Sequence, residues 1–175
     1  MSTVIIIPAR YDSKRFPGKP LVRLRGSKGE KKPLIQRSWE AAKKVNGVDR
    51  VIVSTDDERI KNVANAFGAE VVMTSTSCLN GTERCAETCL KLKEQYDMIV
   101  NLQGDAPLTP HWFVEDLINE LKCNSNAEVV TPVLRCDSDG HRMFVEDRKA
   151  DRVGGTTAVF NKKNKALYFS KEVIP

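Results

Sequence analysis

Four cations stand within ten residues of one another: Arg10, Lys14, Arg15 and Lys19. They lie in the run Pro8-Ala9-Arg10-Tyr11-Asp12-Ser13-Lys14-Arg15-Phe16-Pro17-Gly18-Lys19-Pro20. Such a loop offers backbone N–H groups, and the arginines and lysines add opposite charge, which together make a phosphate cradle. The spacing Gly-x-x-x-x-Gly-Lys-Ser/Thr of a Walker loop is missing. On charge alone, a solvated basic loop is the simpler account. Two further runs could join it. Gln103-Gly104-Asp105 places a carboxylate beside a glycine, able to approach a magnesium ion held by phosphates; the plain alternative is a turn. Asn80-Gly81-Thr82-Glu83-Arg84 opens a helix with free N–H groups and a hydroxyl, suited to ring carbonyls or phosphate. Its plain alternative is a helix start with Glu83 favouring the dipole.

The elements that must position these residues alternate. Thr3 to Pro8 is a β-branched run and reads as a buried strand, after which Leu34 to Val45 carries apolar residues at helical spacing. Arg50 to Ser54 reads as a second strand. Asp56 is the expected cap of a helix that Gly68 ends. Glu70 to Met73 is a third strand, and Thr82 the expected cap of a helix to about Gln95. Asp97 to Leu102 is a fourth strand, and Pro110 opens a helix through Leu121. This alternation implies right-handed crossovers and a mostly parallel sheet, with helices on both faces. Val129 to Leu134, Gly154 to Phe160 and Ala166 to Phe169 are further strand candidates, so the sheet is expected to become mixed late in the chain. Gly26 to Pro33 reads as a mobile surface loop, and Asp137 to Arg152 as a charged segment outside the sheet. An open parallel sheet binds ligands beyond the carboxyl ends of its strands, where the three chemical runs fall. That placement favours the cradle over the solvated loop.

The 175 residues amount to a single domain, residues 1–175, with 41% hydrophobic and 29% charged residues, the mix of a folded globular chain. No run of about 18 apolar residues occurs, so no membrane span is expected. Val4 to Ile7 is too short for a secretory core, and the expected location is cytoplasmic. Lysine and arginine number 28 against 23 acidic residues, a net charge of +5. The excess suits an anionic ligand; no nucleic-acid recognition motif accompanies it, and aromatics are only 6%, too few for stacking platforms. Cys78, Cys85, Cys89, Cys123 and Cys136 are an odd set without a metal-binding pattern and are expected to be reduced thiols. His111 and His141 are expected at the surface, without catalytic roles.

Six motifs occur in order. They are Ile-Pro-Ala-Arg-Tyr-x-Ser-x-Arg-Phe-Pro-Gly-Lys-Pro-Leu, Thr-Asp-Asp-Glu-Arg-Ile, Val-Met-Thr-Ser, Gly-Thr-Glu-Arg, Asn-Leu-Gln-Gly-Asp-x-Pro and Ala-Leu-Tyr-Phe-Ser-Lys-x-x-Ile-Pro. As a set, from Val4 to Pro175, they resemble the 3-deoxy-manno-octulosonate (Kdo) cytidylyltransferases, or CMP-Kdo synthetases. The first motif alone also admits the wider sugar-acid cytidylyltransferases. The resemblance implies a Rossmann-like nucleotide-diphospho-sugar transferase fold. It implies the reaction of CTP with a Kdo-like sugar acid to give CMP-sugar and pyrophosphate, for lipopolysaccharide or another surface polysaccharide. Carried over by motif, Arg10 and Lys19 hold the triphosphate with help from Ser13 and Arg15, and Pro8 and Ala9 face the nucleoside. Thr74, Gly81, Thr82 and Arg84 line the cytosine pocket, Gln103 sits near the sugar acid, and Asp105 ligates Mg2+. Arg10, Lys19 and Asp105 would carry the catalysis.

The chain departs from the family pattern in four places. Ala106 stands where members usually carry glutamate. Ser27 to Lys32 is longer than the usual turn, and Arg152 to Val159 differs from the usual valine- and lysine-rich strand. The family pattern also runs on past Pro175, where the resemblance places a second metal aspartate, further sugar contacts and much of a dimer interface. Two alternatives follow: a different acceptor, such as a sialic-type or amino-Kdo acid, or CTP binding without turnover.

Overall fold

The computed structural model describes residues 1–12, 16–152 and 155–174. Lys14 and two of the expected phosphate contacts, Ser13 and Arg15, lie outside them. The chain divides into two compact units, Met1–Val130 and Thr131–Pro175.

The first unit is built on β1 (Thr3–Ala9), buried at every position. A strand covered on both faces must be apolar on both, and the run Val4-Ile5-Ile6-Ile7 meets that demand with side chains that suit extended backbone. A 3-10 turn follows at Lys19–Leu21. Next comes an antiparallel hairpin of β2 (Arg23–Arg25) and β3 (Lys31–Pro33); of residues 26–33, expected as a mobile surface loop, 26–30 form the turn at the surface and 31–33 are strand. The hairpin runs into α1 (Leu34–Ala42), β4 (Arg50–Thr55), α2 (Glu58–Ala66), β5 (Glu70–Met73), α3 (Gly81–Lys91), β6 (Met98–Asn101) and α4 (His111–Cys123). The sheet order is β5-β4-β1-β6, and every pair is parallel.

Alternation along β1 separates two cores. Ile5 and Ile7 pack with Ile35 and Ala42 of α1, Ile60 and Ala64 of α2, and Val114 and Ile118 of α4. Val4 and Ile6 pack with Ile52 and with Cys85 of α3 on the opposite face. Helices therefore cover both faces, as the alternation requires. Each fully buried isoleucine here contributes about 1.5–3 kcal/mol relative to exposure.

Two caps differ from the sequence expectation. The side chain of Asp57, not Asp56, accepts the Arg59 N–H and caps α2. Asn80, not Thr82, caps α3 by accepting the Glu83 N–H. Each expected cap shifts because a neighbouring side chain of the right length already reaches the orphan donor.

The second unit holds α5 (Ser138–Lys149), capped by Asp137, and an antiparallel pair of β7 (Thr157–Phe160) and β8 (Ala166–Ser170). The antiparallel pairing expected late in the chain thus forms its own hairpin. Residues 129–134 are not a strand. Val129, Val133 and Leu134 are exposed there, and Pro132 removes a ladder donor, so an extended segment has no partner for its backbone.

Candidate active site

The carboxyl ends of β1 and β6 and the start of α3 enclose a cavity of about 300 Å3. Of the sequence-assigned residues, Pro8, Ala9, Arg10, Lys19, Gly81, Arg84, Gln103 and Asp105 line it together. Pro20, Cys78, Leu79, Asn80 and Gly104 complete the wall. Thr74 stands behind that wall, bonded to Arg84. Thr82 is exposed and is not in the lining.

Pro8 and Ala9 are the last residues of β1, so the strand itself fixes them, and Arg10 follows as the first exposed residue. The chain returns at Gly18, whose φ of 70° lies in the left-handed region that glycine tolerates best. Lys19 then opens the 3-10 turn, and its Nζ lies 2.6 Å from Asp105 Oδ2. Both side chains are about half exposed, at 43% and 51%. An ion pair that wet is worth about 0–1 kcal/mol, so it exchanges readily for a better partner such as a phosphate.

The loop carrying Asp105 is held from below. The Leu102 N–H donates to the Ile6 carbonyl at 3.0 Å, continuing the β6 register, and the Ala106 N–H closes a turn on the Gln103 carbonyl at 3.1 Å. The buried Ser38 hydroxyl of α1 donates to the Gly104 carbonyl at 2.8 Å. Gly104 has no room for a side chain, since a Cβ would sit 2.8 Å from the Pro8 carbonyl oxygen. The Gly-Asp pair is thus a close backbone crossing over β1, not only a turn.

Arg84 is buried, 2% exposed. Its Nη2 donates to Asp56 Oδ2 at 2.8 Å, and its Nη1 donates to the Thr74 hydroxyl. One guanidinium therefore ties the first turn of α3 to the loops after β4 and β5. The Thr88 hydroxyl, one turn on, donates to the Arg84 carbonyl at 2.7 Å and lies 2.6 Å from the Ser54 hydroxyl of β4. At the tip of α3, Glu83 reaches back to the Leu79 N–H at 2.8 Å while Asn80 accepts the Glu83 N–H at 2.9 Å, a reciprocal cap. The cap brings Gly81 to the cavity, where a Cβ would lie 3.1 Å from Pro8 Cγ and 3.2 Å from Gln103 Nε2.

Asp56, Asn80 and Glu87 carry structural duties at the site that the sequence reading did not assign. Asp56 pairs with Arg84 instead of capping α2; nothing in the spacing marks an ion pair 28 residues long in sequence. Glu87 accepts the Cys78 thiol at 2.9 Å and the Ser75 N–H at 2.9 Å, and it pairs with Lys91 at 2.7 Å. These donors, the thiol and Lys91 foremost, hold its carboxyl down at about 2, and the same bond to the carboxylate pushes the Cys78 thiol up. Because the folded value lies below the ordinary one near 4.5, the stability Glu87 contributes is present above that value and drains away as pH falls from about 4.5 toward 2. Urea midpoints from pH 6 to 2.5 should therefore fall more steeply for the native chain than for Glu87→Gln; parallel curves would show that the Glu87 contacts do not form in solution. Cys85 is pushed up to about 12 by burial, and all five cysteines are free thiols.

Among the described residues no three His, Cys, Asp or Glu side chains gather to cage a metal. Asp105, half exposed in the cavity with one oxygen turned to Lys19, fits the other common arrangement, a single carboxylate sharing a magnesium ion with substrate phosphates. No helix among the described residues is long and apolar enough to cross a membrane.

Comparison with known proteins places the chain in a family. A 3-deoxy-manno-octulosonate cytidylyltransferase of Maricaulis maris is 42% identical over 175 residues, covering the whole chain and 66% of that protein. A mitochondrial protein of the same name from Arabidopsis thaliana is 42% identical over 97% of the chain and 54% of its own length. A solved CMP:2-keto-3-deoxy-manno-octonic acid synthetase complexed with CTP superposes with a TM-score of 0.81 at 33% identity, over the whole chain and 66% of that structure. The chain thus spans between about half and two thirds of the length of such relatives. The family model described as cytidylyltransferase matches residues 4–175, from the second residue of β1 to the last residue of the chain, and the chain belongs to that family.

Proposed function

We propose that the cavity binds CTP, and that the chain is the nucleotide-binding part of a cytidylyltransferase that activates a Kdo-like sugar acid, releasing pyrophosphate. The observation that carries this reading is the convergence of Arg10, Lys19 and Asp105 with the Gly81 end of α3 in one cavity. Arg10 and Lys19 face the triphosphate, and Gly81 and Arg84 face the cytosine. Pro8 and Ala9 flank the nucleoside and Gln103 is near the acceptor. The names of the relatives, and the CTP in the related structure, support the choice of nucleotide and acid.

The anomeric hydroxyl of the acid attacks the α-phosphorus in line with the departing pyrophosphate. Chemistry of this kind asks the protein mainly to position groups and offset charge. Lys19 is placed to do both. Its ammonium leaves Asp105 for the phosphates, and Asp105 is then available to hold magnesium. Magnesium would supply charge neutralisation at the phosphates. Arg84, locked on both sides, presents a fixed wall to the base.

Pyrophosphate release with CTP, magnesium and Kdo tests the reading. Release that requires both CTP and Kdo supports it; release only with a different sugar acid overturns the acceptor, and CTP binding without release with any acid restricts the chain to binding. Asp105→Asn separates the metal from the nucleotide. Without magnesium the variant should bind CTP about threefold more tightly, because an anion facing the phosphates is removed, and the gain in affinity on adding magnesium should vanish. A magnesium effect of native size in calorimetry of the variant would contradict the metal role.

A further inference from the structure

Outside the cavity, one cluster joins the start of α2 to the loop that delivers Lys19. The Arg59 guanidinium lies over the Tyr11 ring, its Cζ 3.3 Å from the ring centroid. Asp57 holds that guanidinium edge-on, with Arg59 Nη2 at 2.6 Å from Oδ2 and Nε at 3.0 Å from Oδ1. Asp57 is itself fixed as the cap of α2, and its N–H donates to the buried Thr55 hydroxyl at 3.2 Å. Tyr11 then meets Gly18: the Gly18 N–H donates to the Tyr11 carbonyl at 2.8 Å, and a Cβ on Gly18 would stand 3.0–3.1 Å from the ring and 3.2 Å from its hydroxyl oxygen. Lys19 is the next residue. Arg59 is not among the residues lining the cavity.

We infer that Arg59 is a positioning residue for nucleotide binding: it clamps the Tyr11 ring over Gly18, closes the base of the cationic loop and so pre-sets Lys19 toward the phosphates. The geometry gives the clamp a direction. Asp57 leaves Arg59 little rotational freedom, so the guanidinium plane arrives over the ring already oriented. The ring leaves Gly18 no alternative side chain and shields its backbone bond to Tyr11. Glycine at φ 70° is otherwise a pliable point just before Lys19. Affinity gained this way comes from ordering paid before the ligand arrives.

This inference rests on the nucleotide reading above. Its test combines CTP calorimetry with hydrogen exchange at the Gly18 amide, on Arg59→Met, Tyr11→Leu and Tyr11→Phe. A cation over an aromatic ring at a solvent-exposed position accounts for about a 2–5-fold effect. CTP affinity should fall by that much in Arg59→Met, and the Gly18 amide should exchange faster. Tyr11→Leu should do the same, the double variant Arg59→Met/Tyr11→Leu should be no worse than the weaker single, and Tyr11→Phe should keep both native values because the ring is retained. Native affinity or native Gly18 protection in Arg59→Met overturns the positioning role, as does additive loss in the double variant. A native chain that binds no CTP overturns the nucleotide reading itself, and the role with it, a result distinct from native binding that the variants leave unchanged.

Discussion

Replacing Arg84 with alanine is expected to destabilise the first unit by about 3–5 kcal/mol, because it strands the Asp56 carboxylate without its partner in a mostly buried place. The side chains of the pair are only 3% and 15% exposed, so the carboxylate has no other protein partner as strong as this guanidinium. The Thr74 hydroxyl loses its donor at the same time. Urea unfolding measures the loss. The double variant Arg84→Met/Asp56→Leu distinguishes a structural lock from a contact with ligand. It removes both charges and should recover much of the stability, since well-packed apolar replacements of buried pairs are often neutral. CTP binding should stay weak in it, because the wall of the base pocket has lost its donors. Recovery of stability together with native CTP affinity would show that Arg84 serves the fold and not the pocket.

Lys19→Ala is expected to weaken CTP binding by about 1.5–3 kcal/mol, on the order of 10–100-fold, with little change in folding stability. The binding loss has two sources. A charge-assisted bond to phosphate disappears, and Asp105, no longer faced by an ammonium 2.6 Å away, turns its charge on the same phosphates. The stability change is small because the pair is half exposed in the free protein. Lys19→Arg should recover part of the affinity. Unchanged CTP affinity in Lys19→Ala, measured by calorimetry, would contradict the phosphate cradle.

Much of this architecture is legible in the sequence. The β-branched run of β1, the helical stripes of α1 and α2 and the glycine that stops α2 specify alternating strands and helices, and from those the parallel sheet and its ligand-binding end follow. The gathering of Arg10, Lys19, Gly81, Arg84, Gln103 and Asp105 in one cavity follows in turn, since Arg10, Gln103 and Asp105 stand just past β1 and β6, and Lys19, Gly81 and Arg84 lie on the segments that follow β1 and β5. What stayed hidden was of two kinds. The caps moved by one or two residues, because Asp57 and Asn80 compete locally with Asp56 and Thr82 and only geometry decides between them. The long-range partners, Asp56 for Arg84 and Arg59 for Tyr11, are pairings between side chains far apart in sequence, on which periodicity is silent. The segment 129–134 shows the reverse failure. Its β-branched composition suits a strand, but a strand exists only where a neighbour completes its hydrogen bonds.

The proposed function stands or falls on CTP binding in the cavity at the carboxyl ends of β1 and β6. Calorimetric titration of the native chain with CTP, in the presence and absence of magnesium, tests it most directly. One CTP per chain is expected to bind, tighter with magnesium than without, and much weaker in Lys19→Ala. A chain that unfolds cooperatively in urea, and is therefore folded, yet takes up no CTP at millimolar concentration under either condition would contradict it.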